Sequence, residues 1–187
     1  MSGTLPVDPG LTGLTINSNF SVVRNTTISG VVTTTRLPGH FWSFSCNYPN
    51  MTRAEAGAIN AFINSQEGFD AFQFTPTKYK DAGGAATERK NTLSATIVTD
   101  LDIDVAKTTG TSTGITFTSA FTSSYYNYAT HGYFLQAGDF IKFSGHNKVY
   151  QVTNNVTLAS DGSGSINITP RLQAAVAQAE NIIYTDV

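Results

Sequence analysis

Charge is scarce in this chain. Of its 187 residues 13% are Asp, Glu, Lys or Arg, about half the usual share, and the formal net charge is −2. That balance excludes a free-standing nucleic-acid binder, because affinity for phosphates comes from clustered Lys and Arg. Cysteine is nearly missing too: Cys46 stands alone, so no disulfide can form within the chain. No apolar run approaches the roughly 20 residues that cross a bilayer as a helix, which gives no reason to expect a membrane partner. The opening MSGTLPVDPGLTG has neither a basic nor an apolar region, so the expectation is synthesis without export. The Asn-x-Ser/Thr triplets at Asn19, Asn25, Asn50, Asn155 and Asn167 are therefore read as chance in an Asn- and Thr-rich chain.

Uncharged polar residues and β-branched residues fill the gap. Thr26 to Arg36 (TTISGVVTTTR) favours extended backbone. His40 to Cys46 (HFWSFSC) alternates, with Phe41, Ser43 and Ser45 on one face and Trp42, Phe44 and Cys46 on the other. Leu37-Pro38-Gly39 between them predicts a turn and hence a long hairpin. Thr52-Arg-Ala-Glu55 has the form of a capping box, and Ala58, Ile59, Phe62 and Ile63 then recur at helical spacing before Gly68, which predicts a helix over 52–67. Phe69 to Phe74 (FDAFQF) returns to strand. Residues 78–91, charged around Gly83-Gly84 and with little to bury, predict an exposed, mobile loop.

Strands are expected again at Thr92 to Val98 and around Gly114 to Phe121. A second hairpin joins Phe140–Phe143 to Val149–Val152, and a third joins Val156–Leu158 to Ile166–Ile168, with Pro170 ending it. Leu172 to Ala179 predicts a short Ala-rich helix. The reading is a mainly β protein, an antiparallel β-sandwich or barrel with one principal helix at about 52–67. It is taken as a single domain over 1–187: a hairpin–helix–strand core at about 14–77, the loop at about 78–91 and a β-rich second half at about 92–187.

No set of residues assembles into a catalytic group. Asp100, Asp102 and Asp104 open like a calcium loop, but Val105 and Thr111 stand where Gly and Glu are needed, so a solvated face is the plainer reading. His40, His131 and His146 lie far apart, and Cys46 follows Phe44 in an alternating strand, which suits a buried structural thiol. No catalytic residue, metal or cofactor is expected. Tyr125, Tyr126 and Tyr128, with Tyr133 nearby in YYNYATHGY, form the candidate contact group. Tyrosines on a loop can anchor a protein partner, stack on sugars, or plug the end of the fold, and all three readings stay open.

From Arg36 to Phe74 the motifs follow a recognisable order: RLPGHFWSFSC, a capped helix TRAEAGAINAF, then GFDAFQF. This resembles the core of small distal tail proteins of tailed bacteriophages and gene transfer agents, with Glu55, Ile59, Phe62, Gly68 and Phe72 fitting its helix and strand pattern. The later stretch AGDFIKFSGHNKVYQVTNNVTLASDGSGSINITPRL is similar to a segment of phage tail-tip proteins. The resemblance implies the fold of a tail-tube type protein and a structural virion component, not an enzyme, made in the host cytoplasm and placed at the tail tip. It implies a ring-forming homo-oligomer, a hexamer, that joins the tail tube to hub or fibre proteins, as in a baseplate, and lets DNA pass without specific binding. Six spheres of roughly 40 Å, the size expected for 187 residues, leave a hole of about the same width. The alternatives are a β-sandwich carbohydrate-binding module for the host surface, with the tyrosine loop as its site, and another tail component such as tail tube, tail terminator or baseplate protein.

Overall fold

The computed structural model describes residues 3–6, 10–67, 72, 74, 76, 79, 81–86, 101–119, 126–185 and 187. The chain separates into two compact units, Met1–Phe74 and Thr75–Val187.

The first unit is built on a two-stranded antiparallel ribbon, β1 (Gly13–Thr26) with β2 (Val32–Asn47). Its turn is not at Leu37-Pro38-Gly39, as expected, but at Thr27–Val31. There the Val31 amide donates to the Thr27 hydroxyl at 3.0 Å, and Gly30 takes a φ of 81° that favours glycine. Leu37-Pro38-Gly39 lies inside β2 instead, opposite Ser21, where the register shifts between Phe20 and Val22. Proline has no amide to give a ladder, so this tripeptide makes a bulge rather than a reversal. The bulge adds two residues to β2, which keeps side-chain alternation in phase on both sides of it.

The ribbon is therefore amphipathic along its length. Paired positions Leu14/Cys46, Ile16/Phe44, Ser18/Trp42, Phe20/His40 and Val22/Arg36 share one face, while Thr15/Ser45, Asn17/Ser43 and Asn19/Phe41 share the other. His40 sits between Phe20 and Trp42, 4.7 Å from each ring, and the Arg36 guanidinium lies 3.7 Å above Phe20.

The helix expected at 52–67 is α1 (Arg53–Ser65), and its start is the capping box read from the sequence. The Thr52 hydroxyl accepts from the Glu55 amide at 3.4 Å, and the Glu55 carboxylate accepts from the Thr52 amide at 2.7 Å. Most of the strand expected at Phe69–Phe74 lies outside the described residues. Phe72 meets Phe62 edge-on at 5.5 Å and Phe74 meets Phe44 at 5.6 Å. Among the described residues of this unit, Ile59 and Gln66 alone are buried.

The second unit has an ample core. Its sheet runs β7 (Ser163–Ile166), β4 (Ile115–Ser119), β3 (Leu101–Ile103), β9 (Asn181–Ile183), β5 (Phe140–Phe143), β6 (Val149–Val152), β8 (Ile168–Thr169), all antiparallel. The two ends of that order, β7 and β8, are consecutive in the chain with Asn167 between them. One bent segment thus pairs with both margins of the sheet and nearly closes it into a barrel. Asn167 holds the bend: its Oδ1 accepts from the Gly114 amide at 2.9 Å, its amide donates to Asn154 Oδ1 at 2.6 Å, and its carbonyl accepts from the Thr153 amide at 2.9 Å. Alternation sends Leu101, Ile103, Ile115, Phe117, Ile141, Phe143, Tyr150 and Ile182 into the interior.

Several local expectations are corrected here. Within 78–91, residues 82 and 84–86 are buried rather than exposed: Ala82, Ala85 and Ala86 join the core, and the Ala85 and Ala86 amides donate to Tyr133 and Phe134 carbonyls at 2.9 and 3.0 Å. The third hairpin keeps its turn, but Ser163–Ile166 pairs with β4, and Val156 bridges Leu135. Leu172–Ala179 is not helical, because its amides serve the segment between β3 and β4: Leu172 donates to the Thr111 carbonyl and Val176 to that of Lys107, at 2.8 and 2.9 Å. Tertiary pairing overrides alanine's helical preference. The strand expected at Thr92–Val98 lies outside the described residues.

Candidate functional site

The tyrosine group is built on α2 (Tyr128–His131), a single turn held at both ends. Asn127 caps it, its side chain accepting from the Ala129 amide at 2.9 Å, and Gly132 at φ 73° stops it. The His131 Nδ1 accepts from the Asn127 amide at 3.1 Å, which fixes the imidazole against its own turn.

This turn sends the tyrosines in opposite directions. Tyr126 is 4% exposed, and its hydroxyl donates to the Gly132 carbonyl at 2.5 Å while its ring meets Phe134 edge-on at 5.5 Å. It closes the core and offers no surface. Tyr128 and Tyr133 point outward, 48% and 37% exposed, with ring centroids 5.1 Å apart. Tyr125 lies outside the described residues. Burial pushes the Tyr126 phenol up, and the hydrogen bond to Tyr133 pushes the Tyr128 phenol up, so both stay neutral at physiological pH. The outward pair is an uncharged aromatic patch suited to protein contact or stacking.

Among the described residues, the groups that could do chemistry do not come together. Among the described residues, no three His, Cys, Asp or Glu side chains converge as metal ligands. Asp104 accepts the Thr118 hydroxyl, Asp102 is exposed, and Asp100 lies outside the described residues. The three histidines stand in separate settings: His40 among ribbon aromatics, His131 on α2, and His146 against Phe143 and Tyr150 at 5.7 and 5.5 Å. Burial pushes the half-buried Cys46 thiol up, away from the thiolate a nucleophile needs.

One motif escapes the sequence reading. Gly110-Thr-Ser-Thr-Gly114 has the G-x-S-x-G spacing of a nucleophile elbow, which requires a strand–turn–helix setting with a histidine nearby. Here the pentapeptide leads into strand β4, and the Ser112 carbonyl accepts from the Ile168 amide at 2.8 Å. It is a barrel turn. A groove of about 630 Å³ lies between Asp104-Val105, Thr157–Ala159 and Ser163–Ser165, lined by apolar Val105, Leu158 and Ala159, by hydroxyls, and by one carboxylate that is already hydrogen-bonded. It holds no acid–base pair.

The other feature with the character of a site is the far half of the ribbon. Every residue from 21 to 37 is exposed. Ile28 at the turn is fully so, and Val22, Val31, Val32 and Leu37 are exposed with it. Sequence reasoning treated 26–36 as a strand and did not read 13–25, although Leu14, Ile16, Phe20 and Val22 alternate there.

Residues 127–187 match the family model described as "Distal tail protein pb9, B domain". The match takes in α2, both exposed tyrosines and strands β5 to β9. No curated protein matches the chain.

Proposed function

We propose that this phage tail component, a distal tail protein by its residues 127–187, assembles with copies of itself into a ring at the end of the tail. The ring, a hexamer in this reading, joins tail tube to hub or fibre proteins and leaves a channel through which DNA passes unbound. The family is one of structural tail proteins, and the reading assigns the chain no catalysis.

The carrying observation is the contrast between the two units. The second buries a full core, whereas the first, among its described residues, buries Ile59 and Gln66 and holds out a long ribbon. A two-stranded ribbon is marginal in water by itself. Strands with open edges invite further pairing, so neighbouring copies that cover ribbon and helix would supply the burial that the first unit lacks. Scarce charge fits a surface shared with neighbours, since charge is depleted at interface cores.

Tyr128, with Tyr133, is assigned to contact with a neighbouring tail protein, and Tyr126 to the core. Electron microscopy and native mass spectrometry of the purified protein test the ring. A six-fold particle is expected; a protein that stays monomeric and never enters tails overturns the reading.

A further inference from the structure

The first unit carries two exposed apolar surfaces that do not meet within one copy. One is the end of the ribbon, Val22 and Val32 with the turn residue Ile28. The other is the C-terminal end of α1, where Ile63 and Phe72 are 55% and 45% exposed.

Their charges are opposite. Val22, Arg24 and Thr26 alternate onto one face of β1, and Arg36 faces Val22 across the pair, so the ribbon's apolar end carries two cations. The last turn of α1 has no basic residue, and exposed Glu67 follows it one turn beyond Ile63. The negative end of the helix dipole and a carboxylate thus sit together beside the apolar pair. Neither Arg24 nor Glu67 has an ion-pair partner among the described residues.

The exposed areas set the scale of the contact. A standard interface takes about 800 Å² per partner, a little over half of it apolar. Ile28, Val22, Val31 and Val32 leave on the order of 400 Å² exposed at the ribbon end, and Ile63 with Phe72 leave on the order of 200 Å² at the helix end.

We infer that the ribbon end of one copy docks on the C-terminal end of α1 of a second copy, Val22, Val32 and Ile28 against Ile63 and Phe72, with Arg24 facing Glu67. The contact is head-to-tail, because donor and acceptor surfaces differ, and repeating it generates a closed ring if the rotation closes. This inference rests on the ring reading above and names the surfaces that would join its subunits.

Two proteins test it, one with Val32→Cys and one with Ile63→Cys, each also carrying Cys46→Ser so that no native thiol competes. Mixed and oxidised, they should give a disulfide-linked heterodimer as the main product, since each supplies one half of the contact. A second test exchanges charge. Glu67→Arg should weaken association by about tenfold, the size of a close charge pair at an interface, and adding Arg24→Glu should restore it. All these positions are exposed except the half-buried Cys46, so folding is not at stake. If sedimentation shows ring-sized oligomers while no heterodimer forms and the charge exchange restores nothing, the docking inference fails and the ring reading stands. If the unsubstituted protein sediments as a monomer at every concentration, both fail.

Discussion

The adjacent glycines Gly83 and Gly84 separate a packed segment from a loose one. Read as a mobile loop, both should accept alanine equally. The structure gives them different fates. A methyl group on Gly84 would lie 2.2 Å from the Phe134 carbonyl oxygen and 2.7 Å from its carbon, both backbone atoms. At Gly83 the nearest atom is an oxygen of the Asp139 side chain at 3.3 Å. To admit a methyl group at Gly84 the chain must withdraw by roughly 1 Å from Phe134, since real contacts below 3.0 Å are not seen. That movement pulls on the two amide bonds from Ala85 and Ala86 to residues 133 and 134, each worth about 1 kcal/mol, and disturbs the packing of buried Ala85, Ala86 and Phe134, for about another 1–3 kcal/mol. Gly84→Ala should therefore cost about 3–5 kcal/mol. For a unit of about 110 residues this lowers Tm by roughly 13–22 °C. Gly83→Ala should shift it by less than about 3 °C, because the Asp139 side chain can give way and alanine restricts the unfolded chain. Thermal unfolding followed by circular dichroism reads both. Equal and small shifts for the two variants would refute the packing of 81–86 against the barrel.

Other expectations follow from single contacts. Tyr126→Phe removes the hydroxyl's bond to Gly132 and should cost about 1 kcal/mol in chemical unfolding, whereas Tyr128→Ala should leave stability within about 0.5 kcal/mol and reduce incorporation into tails. Thr52→Ala should destabilise α1 by about 1 kcal/mol, read as lost helical ellipticity. The hydrogen bonds from Thr52 hold the Glu55 carboxyl below its ordinary value, so its contribution is present above the unfolded carboxyl's pKa and disappears as pH falls through the lowered one. Glu55→Gln should remove that acid-dependent part of the helix signal. Cys46, its thiol pushed up by burial, should be alkylated more slowly than a free thiol near neutral pH and catch up only as pH rises, as mass spectrometry of labelled protein will show.

Local signals carried through where the tertiary structure had no competing use for the same backbone. The capping box at Thr52 and Glu55 and the run from Ala58 to Ile63 became α1, and Phe140–Phe143 paired with Val149–Val152 across a short turn. Where another segment needed the amides, the local signal lost. Leu172–Ala179 is Ala-rich, yet its amides pair with Thr111 and Lys107, and the Glu180 carboxylate takes the Ala177 amide at 2.9 Å. Gly83-Gly84 looked like flexibility because glycine permits it; the same absence of a side chain permits close approach, and only the position of Phe134 tells the two apart. Leu37-Pro38-Gly39 has turn chemistry, but Thr27 with Gly30 makes the tighter reversal, leaving the proline to its bulge. Of the tyrosines, spacing announced a cluster and could not say which would face inward. That depended on Gly132 ending α2 and returning its carbonyl to the Tyr126 hydroxyl.

Scarcity of charge, an average over the chain, resolves into particular surfaces. One face of the ribbon, with Thr15, Asn17, Asn19, Thr33, Thr35, Ser43 and Ser45 beside exposed Phe41 and Val23, has no ionisable group. The other face carries Arg24 and Arg36 among valines and aromatics. A lone monomer has no use for that division, because charge serves solubility best where water is, and apolar side chains serve stability best where water is not. The division makes sense if the apolar face is covered, and then the two arginines decide by what. A covered cation without a partner costs more than the burial around it returns, so whatever closes over Val22 and Val32 must bring negative charge with it. Within the described residues of the same unit, exposed Glu67 beside Ile63 at the negative end of α1 is the carboxylate that the proposed contact would bring from a second copy.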